Sequence, residues 1–379
     1  MRRVAVAPRR EWQARLLGNG FDFHTLVTDD GRPDPYWIED ACYEFSTSQI
    51  EDLESATQEL HDLCLDAVGE IVDRGDYESF GLNQFEATLI ERSWSLGERG
   101  LYGRMDLSYD GSGPPKLLEY NADTPTSLLE SSVAQWFWLE DRANGDRGAH
   151  KFDQFNSIHE QLIERWQTVL GKPGGCVHFA CHQDSPEDFG TTEYLRDTCI
   201  QAGWKTETLD MSDIGFDGMQ FIDRSDRVID RMFKLYPWEW LFAEEFGAHL
   251  GGSRTRWLEP PWKRLLADKA ILSWLWQHHP GHPNLLPASF DRSAIAGEVV
   301  FKPCLEREGL GVLMLPTGEA PPDSPRGIYQ ASRRLPIFDG RHALVGTWVI
   351  GDVACGLGMR EDQHAITRNT SRFVPHRFR

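Results

Sequence analysis

Hydrophobic residues recur at helical spacing in the first half of the chain, and this pattern predicts several amphipathic helices. The clearest helix begins at Ser46 or Thr47, follows apolar positions such as Ile50 and Leu53, and ends at Gly75. Residues 11–45 show no clear period, so we expect loops and short pieces there. Further helices are predicted at 85–95, from about residue 126, and at 152–170.

Strand and helix patterns alternate after the glycine-rich stretch 171–175, which predicts a small α/β lobe with a mostly parallel sheet. From residue 298 onward the pattern changes to short strands joined by Gly and Pro, which is typical of an antiparallel sheet. The predicted strands are 176–181, 205–209, 228–235, 299–303, 311–315, 327–330, 342–350 and 353–359, and the predicted helices are 187–203, 238–246 and 266–278.

Polar side chains follow a period of two on both sides of a predicted turn at 111–115. Arg104 and Asp106 precede this turn, and Glu119 and Asn121 follow it. Residues two apart on a strand point to the same face, so pairing across the turn would bring all four together. Two carboxylates and an amide oxygen are hard ligands that suit Mg2+. The alternative is a hairpin with a polar, solvent-facing side.

A second candidate site surrounds Lys302, which lies on a predicted strand and precedes a loop with glycines at 309 and 311. The backbone of such a loop can lie over phosphates, and a neighbouring lysine can neutralise them. The same pattern also fits a β-hairpin with an ordinary exposed lysine.

Other side chains extend this second pattern. Lys269 precedes an apolar helix and offers another cation, and Tyr329 with Gln330 offers an edge contact for adenine. Arg360 ends a predicted strand and could stabilise negative charge that develops during phosphoryl or acyl transfer. The histidines between 278 and 282 lie at a helix end and have no fourth ligand at suitable spacing, which argues against a metal site there.

Composition and motifs limit the class of protein. The formal charge of −20 argues against nucleic acid or an anionic membrane as the main partner. We find no run of 18 apolar residues and no apolar core of signal-peptide length. The seven cysteines lack a CxxC spacing, which indicates reduced thiols in a cytoplasmic protein. Walker A, GxGxxG, HExxH and GxSxG motifs are absent, which argues against P-loop, zincin and α/β-hydrolase chemistry.

Together these stretches resemble the synthetase domain of glutathionylspermidine synthetase/amidase and of trypanothione synthetase, and most closely the stand-alone bacterial glutathionylspermidine synthase-like proteins. The resemblance implies one synthetase unit over residues 1–379, of class α/β (α+β), with an ATP-grasp fold and no amidase domain. It implies a small α/β substrate lobe and an antiparallel-sheet ATP lobe, with sub-lobes at about 1–170, 171–250 and 251–379. Its most specific stretches are 104–106, 117–127, 257–260, 269–272 and 301–303.

The resemblance also implies an activity. The implied enzyme is an ATP- and Mg2+-dependent ligase that forms an amide through an acyl-phosphate intermediate. Its acid would be a peptide or thiol-peptide carboxylate, and its amine would be a polyamine or another amine. The alternatives are a catalytically silent nucleotide-binding protein and a small-molecule phosphotransferase. Identity of the acid and the amine, and oligomeric state, stay open.

Roles for single residues follow from the same resemblance. Two Mg2+ ions would be held by Asp106, Glu119 and Asn121, and catalysis would depend on Arg104 and Arg360. The nucleotide would be bound by Lys269, Lys302, Glu308, Gly309, Tyr329 and Gln330. The substrate would be bound by Arg104, Thr124, Ser127 and Lys234.

Overall fold

The structure is a computed structural model that describes residues 1–27, 31–145, 151–319, 321 and 325–379, apart from the side chains of residues 144 and 145. The helices are α1 (Trp12–Gly18), α2 (Thr47–Arg74), α3 (Gln84–Ser95), α4 (Gln135–Gly145), α5 (Ile158–Leu170), α6 (Pro186–Gln201), α7 (Trp238–Ala243), α8 (Lys263–Ala267) and α9 (Ala270–His278), with a π-helical turn at Glu130–Ala134. The strands are β1 (Arg2–Ala5), β2 (Thr25–Val27), β3 (Pro33–Pro35), β4 (Ala41–Phe45), β5 (Tyr102–Ser108), β6 (Lys116–Asn121), β7 (Cys176–Cys181), β8 (Lys205–Asp210), β9 (Gly215–Phe216), β10 (Phe221–Ile222), β11 (Arg231–Lys234), β12 (Arg256–Leu258), β13 (Ala288–Ser289), β14 (Val299–Pro303), β15 (Leu313–Leu315), β16 (Gly327–Ala331), β17 (Ile337–Phe338), β18 (Arg341–Ile350), β19 (Val353–Asp362), β20 (Arg372–Val374) and β21 (His376–Phe378).

Helix α2 confirms the prediction made from periodicity and capping residues. The Ser46 hydroxyl accepts from the Gln49 N–H, and the Gln49 side chain accepts from the Ser46 N–H, so two of the N–H groups that lack a partner at the helix start are satisfied. Gly75 ends the helix in the left-handed region at φ 66°. The buried face of α2 includes Leu53 and Leu60 and packs against β18 and β19. The helix therefore supports the back of the central sheet.

The central sheet has the order β20–β19–β18–β5–β6, and β17 adds to β18; these pairings are antiparallel. The predicted hairpin β5–β6 thus lies beside strands from the far end of the chain. A second antiparallel sheet has the order β13–β16–β14–β15. The predicted strands after residue 298 are confirmed, but they divide between two sheets. Strands β18, β19 and β20 share a sheet with the hairpin β5–β6. The boundaries of the sub-lobes stay a prediction.

The small α/β lobe contains the sheet β12–β11–β7–β8, and its three pairings are parallel. Helix α6 crosses between β7 and β8, as a parallel connection requires. The prediction of a mostly parallel sheet in this region is confirmed. No helix within the described part of the chain is long and apolar enough to cross a membrane.

The helix predicted at 152–170 begins only at Ile158, so its predicted start is wrong. The preceding backbone binds C-terminal strands instead, since the Asp153 N–H donates to Phe378 O at 3.0 Å and the Ser157 N–H donates to Cys355 O at 2.8 Å. Tertiary hydrogen bonds thus override the local helical pattern.

The helix predicted at 266–278 divides into α8 and α9. Asp268 is extended between them, and its Oδ1 accepts from the Ala270 N–H at 2.8 Å, which caps α9. This break places Lys269 at the start of α9.

The region 11–45, of which residues 28–30 lie outside the described part, contains the fully buried strand β4 in addition to short pieces. Its hydrophobic residues show no clear period because neighbouring strands and the core enclose the strand.

Candidate functional site

The hairpin β5–β6 brings its four polar side chains together as their spacing predicts. In the register of the two strands Asp106 lies opposite Glu119, and Arg104 lies opposite Asn121. The same register turns Tyr120 away from them, where its hydroxyl contacts His61 Nδ1 at 3.0 Å. One face of the hairpin is therefore polar and the other belongs to the core.

Hydrogen bonds hold this polar face in place. Arg104 donates from Nε to Asp106 Oδ1 at 2.7 Å and from Nη2 to Oδ2 at 3.1 Å, and its Nη1 donates to Thr126 O at 2.7 Å. The Asn121 amide nitrogen lies 3.2 Å from Asp106 Oδ2 and 3.4 Å from Glu119 Oε1. Arg104 and Asp106 are buried. The two-pronged ion pair fixes the carboxylate without help from a ligand.

The hairpin forms the floor of a cavity of about 300 Å³. The antiparallel sheet β13–β16–β14–β15 forms one side, the α/β lobe forms another, and residues 365–369 close a third. Most of the site residues predicted from the sequence line this one cavity, namely Arg104, Asp106, Glu119, Asn121, Thr124, Lys269, Lys302, Glu308, Gly309, Gln330 and Arg360. Distant parts of the chain thus converge on the hairpin.

Two lysines face the hairpin across this cavity. Lys269 Nζ lies 3.6 Å from Glu119 Oε2 and donates to Glu306 O at 2.7 Å. Lys302 is buried, and its Nζ donates to Leu118 O at 2.7 Å. Burial alone would raise the pKa of Glu119, but the two lysines and Arg104 lower it to about 2. The Glu119 carboxylate is therefore ionised and available at neutral pH.

Burial lowers the pKa of Lys302 to about 8, although Glu119 acts in the opposite direction. A neutral carbonyl is the hydrogen-bond acceptor of this buried cation. An anion placed in the cavity would add to the charge neutralisation that Glu119 gives this cation. This position therefore fits a phosphate group, as the resemblance implies.

The side chains of the hairpin offer oxygen atoms that a divalent cation could bind. Asp106 and Glu119 supply carboxylates, and Asn121 supplies an amide that here turns its nitrogen toward both of them. Rotating that amide by half a turn presents Oδ1 instead, which gives three hard oxygen ligands. Across residues 1–27, 31–145, 151–319, 321 and 325–379, no cluster of three or more His, Cys, Asp or Glu side chains is arranged to hold a metal. The donor set fits Mg2+ only with the amide and further oxygens, such as those of a nucleotide.

Tyr329 lies outside the cavity. Its ring packs on Phe301 with centroids 5.3 Å apart, because successive residues of β16 point to opposite faces. Gln330 points to the cavity side, and its Nε2 donates to Leu117 O at 3.1 Å. The structure therefore brings Gln330, and not Tyr329, to the predicted site.

Lys234 and Ser127 are buried behind the cavity wall. Lys234 is 0% exposed, and its Nζ donates to Asp123 Oδ1 and to Tyr236 O, both at 2.8 Å. Ser127 has a left-handed backbone at φ 66°, and its hydroxyl lies 3.3 Å from the Tyr36 hydroxyl. These two predicted substrate residues are placed where they support the wall.

Arg360 lines the cavity and also holds a turn of the C-terminal segment. Its Nη2 donates to the carbonyls of Arg368, Asn369 and Ser371 at 2.8, 2.9 and 3.1 Å. Its Nε is buried and has no hydrogen-bond partner among the described residues. Nη2 thus fixes the guanidinium to the C-terminal turn at the edge of the cavity.

The α/β lobe contributes a wall that the motifs did not reveal. His182 follows β7, and Tyr236 and Trp240 follow β11; the rings of His182 and Tyr236 lie 5.2 Å apart, and those of Tyr236 and Trp240 lie 5.4 Å apart. Asp188 lies beside them, and burial together with Glu187 raises its pKa to about 6. These residues follow the carboxyl ends of parallel strands, where open α/β sheets bind ligands, and that rule is the signal that predicts them.

Comparison with known proteins gives a family match over nearly the whole chain. The model described as "Glutathionylspermidine synthase preATP-grasp" matches residues 3–379. A Haemophilus influenzae protein provisionally named an acid–amine ligase is 42% identical, with 100% of each chain covered. Trypanothione synthetase of Crithidia fasciculata is 27% identical over 85% of this chain and 54% of its own. The bifunctional glutathionylspermidine synthetase/amidase of Escherichia coli is 26% identical over 90% of this chain and 59% of its own. The chain therefore spans a little over half the length of these last two relatives.

Solved structures give the fold. A glutathione synthetase-like effector from Globodera pallida superposes with a TM-score of 0.63 at 11% identity, covering 97% of this chain and 95% of that one. A Methylobacillus flagellatus protein provisionally titled a gamma-glutamylcysteine synthetase superposes with a TM-score of 0.50 at 9% identity, covering 85% and 88%. The mixed helix–sheet architecture is therefore of the glutathione synthetase-like type.

Proposed function

The chain belongs to the glutathionylspermidine synthase family, and from this premise we propose that it is an ATP- and Mg2+-dependent carboxylate–amine ligase with an ATP-grasp fold. The observation that carries the proposal is the cavity floor. It places two carboxylates and an amide beside two lysines, one of which is buried and donates its hydrogen bond to a neutral carbonyl oxygen. That combination suits the triphosphate of ATP together with its metal ions.

The proposed chemistry explains why such a floor is needed. A carboxylate acylates amines poorly because its leaving group would be oxide. Transfer of the γ-phosphoryl group to the acid gives an acyl phosphate and ADP, and attack by the amine then releases phosphate and forms the amide. Positioning and neutralisation of charge do most of the work in phosphoryl transfer.

Each residue of the floor has a part in this proposal. Lys269 and Lys302 hold phosphate oxygens, and Arg104 orients the acceptor carboxylate next to Asp106. Asp106, Glu119 and Asn121 would hold up to two Mg2+ ions, which, when bound, neutralise the phosphates.

Further residues would act above the floor. Glu308 and Gly309 would lie over the phosphates, Gln330 would lie near the adenine, and Arg360, which lines the same cavity, would stabilise the transferring phosphoryl group.

We further propose the substrate classes and the setting. Names of relatives suggest a peptide or thiol-peptide acid and a polyamine or another amine. The wall of rings and carboxylates in the α/β lobe, with Thr124 nearby, supports a substrate groove on that side. The seven free cysteines support a reducing, cytoplasmic setting. The sub-lobes at about 1–170, 171–250 and 251–379 would act as one synthetase unit.

An ADP-release assay with a panel of acids and amines tests this function. The ligase requires Mg2+, an acid and an amine together, and mass spectrometry then shows the amide. ADP release with the acceptor alone would show a phosphotransferase, and no release with any pair would show a silent nucleotide-binding protein; either result contradicts the proposal. Glu119→Gln serves as the inactive control.

A further inference from the structure

The loop between β14 and β15 lines the cavity in a conformation that depends on glycine. Glu308, Gly309 and Gly311 have φ of 55°, 73° and 67°, in the left-handed region. A Cβ atom on Gly309 would lie 2.6 Å from Thr367 O, so the loop touches the C-terminal segment closely. The loop is therefore shaped by its contacts across the cavity as well as by its own turn.

Arg307 leaves this loop and reaches the α/β lobe. Its Nη1 lies 2.7 Å from Glu239 Oε1, and its guanidinium lies 5.6 Å from the ring centroid of Trp240. Both partners belong to α7, which follows β11 of the parallel sheet. One side chain thus bridges the sheet that carries Lys302 and the lobe that carries the aromatic wall.

Glu239 is held in place as the receiving group. Its side chain is 13% exposed, and Arg264 Nε lies 3.7 Å from its other oxygen. Burial alone would raise the pKa of Glu239, but Arg307 and Arg264 lower it. The carboxylate is therefore ionised and shielded enough for the pair to be stronger than one on an open surface.

The loop has further anchors besides Arg307. Lys269 Nζ donates to Glu306 O at 2.7 Å, and Thr367 contacts the loop at Gly309. Within the loop the Leu310 N–H donates to Arg307 O at 2.9 Å. Arg307 lies between the two anchors, at the point where the loop faces the other lobe.

We propose that Arg307 is a positioning residue that latches the glycine-bearing loop onto α7 through Glu239, so that closure over the nucleotide phosphates depends on the α/β lobe. The inference rests on the proposed function. Trp240 is next to Glu239 in sequence and lines the substrate side of the cavity. A substrate that contacts Trp240 therefore touches the residue next to Glu239, the acceptor of the latch. Through this contact, binding of the substrate and closure of the loop over the nucleotide are coupled.

Hydrogen exchange on the protein without nucleotide tests the latch by itself. In Arg307→Met the amides of residues 304–316 should exchange roughly five- to tenfold faster, the loss expected for a half-shielded ion pair. Residues 102–121 should not change. Arg196→Met is the matched control, because Arg196 pairs with Glu193 at similar exposure on α6, outside the cavity. Equal exchange of the loop in wild type and Arg307→Met would overturn the proposal.

Nucleotide binding supplies a second measurement. Calorimetry with Mg2+ and a non-hydrolysable ATP analogue should show roughly five- to tenfold weaker binding for Arg307→Met and for Glu239→Gln. Arg307→Lys keeps the charge and should recover most of the affinity. Unchanged affinity in Arg307→Met would contradict the latch, whereas no binding to wild-type protein would contradict the proposed function and leave the exchange result to decide on the latch.

Discussion

The floor and the far wall of the cavity are built in different ways. The floor comes from two adjacent strands, and its side chains bind one another through Arg104, Asp106 and Asn121. The wall comes from the loops and helices that follow β7 and β11, and its members, such as His182 and Tyr236, touch mainly through their rings. The difference suggests a division of work, in which the floor holds the reacting charges and the wall selects the molecule that reacts.

A buried ion pair joins the two regions. Asp123 follows the floor strand β6, and its carboxylate accepts from Lys234 Nζ at 2.8 Å and from the Trp238 N–H at 2.9 Å. Lys234 ends β11, and its ammonium also lies 4.4 Å from the Trp238 ring centroid. The wall is thereby fixed to the floor, and substitutions on each side and at the joint should have different consequences.

The largest effect is expected on the floor. Asp106→Asn and Glu119→Gln each remove a charge from the proposed metal site, so each should lower Mg2+-dependent ATP turnover by about 10³-fold or more. Circular dichroism should stay close to that of wild type, whereas the melting temperature of Asp106→Asn should fall because Arg104 loses its buried anionic partner. Asp110→Asn, at an exposed turn of the same hairpin, is the control and should keep full turnover. Full turnover in both floor variants would contradict the metal assignment.

The next effect is expected at the joint. Lys234→Met leaves the buried Asp123 without its cation, which should lower the free energy of unfolding by about 3 kcal/mol. Urea denaturation measures this loss. Lys205→Met, an exposed lysine on β8 of the same sheet, should change stability by less than about 0.5 kcal/mol. If both variants were equally stable, the ion pair would not join the two regions.

A smaller effect is expected at Glu130, a buried residue of the π-helical turn Glu130–Ala134, whose carboxyl group feels the charge of Glu187 on α6. Burial and Glu187 raise the pKa of Glu130 from 4.5 to about 7, although Tyr36 donates to its Oε1 at 2.7 Å. The folded state thus binds a proton more tightly than the unfolded chain, so this group lowers stability as pH rises from about 4.5 to 7. Glu130→Gln should stabilise the protein by about 1–2 kcal/mol at pH 8 and by much less at pH 5. An equal gain at both pH values in urea denaturation would show that the charge is not the cause.

The smallest effect is expected on the wall. Trp240→Leu removes an aromatic surface that is 48% exposed, and it should raise the KM of the acid or the amine by roughly three- to tenfold, as loss of one apolar contact does. The KM for ATP should change less, because the floor lysines and the Arg307–Glu239 ion pair are both retained. Phe189→Leu on α6, with a ring 40% exposed, is the control. A larger change for ATP than for either co-substrate would place Trp240 on the nucleotide side.

Local patterns in the sequence predicted the floor and α2 because each is set by neighbours in the chain. Period-two polarity on either side of a turn defines the hairpin face, and Ser46 and Gly75 define the ends of the helix. The pairing of β18 with β5 was not predictable, since strand partners depend on packing between distant segments. The sequence also did not show which of Tyr329 and Gln330 faces the cavity, because a shift of one residue exchanges the two faces of a strand.

Burial of a charge is likewise hard to read from sequence. Lys234 has the residue type of a substrate ligand, but Asp123, 111 residues earlier, neutralises it inside the structure. The wall residues share no spacing, and only the topology of the parallel sheet brings their loops to one edge.

The acyl phosphate is the central claim, and transfer of ¹⁸O tests it most directly. An acid labelled with ¹⁸O in its carboxylate is incubated with ATP, Mg2+ and the amine that gives product, and the released phosphate is analysed by mass spectrometry. Phosphorylation of the carboxylate followed by attack of the amine on carbon leaves one ¹⁸O atom in each phosphate released. Unlabelled phosphate formed together with the amide would contradict the account.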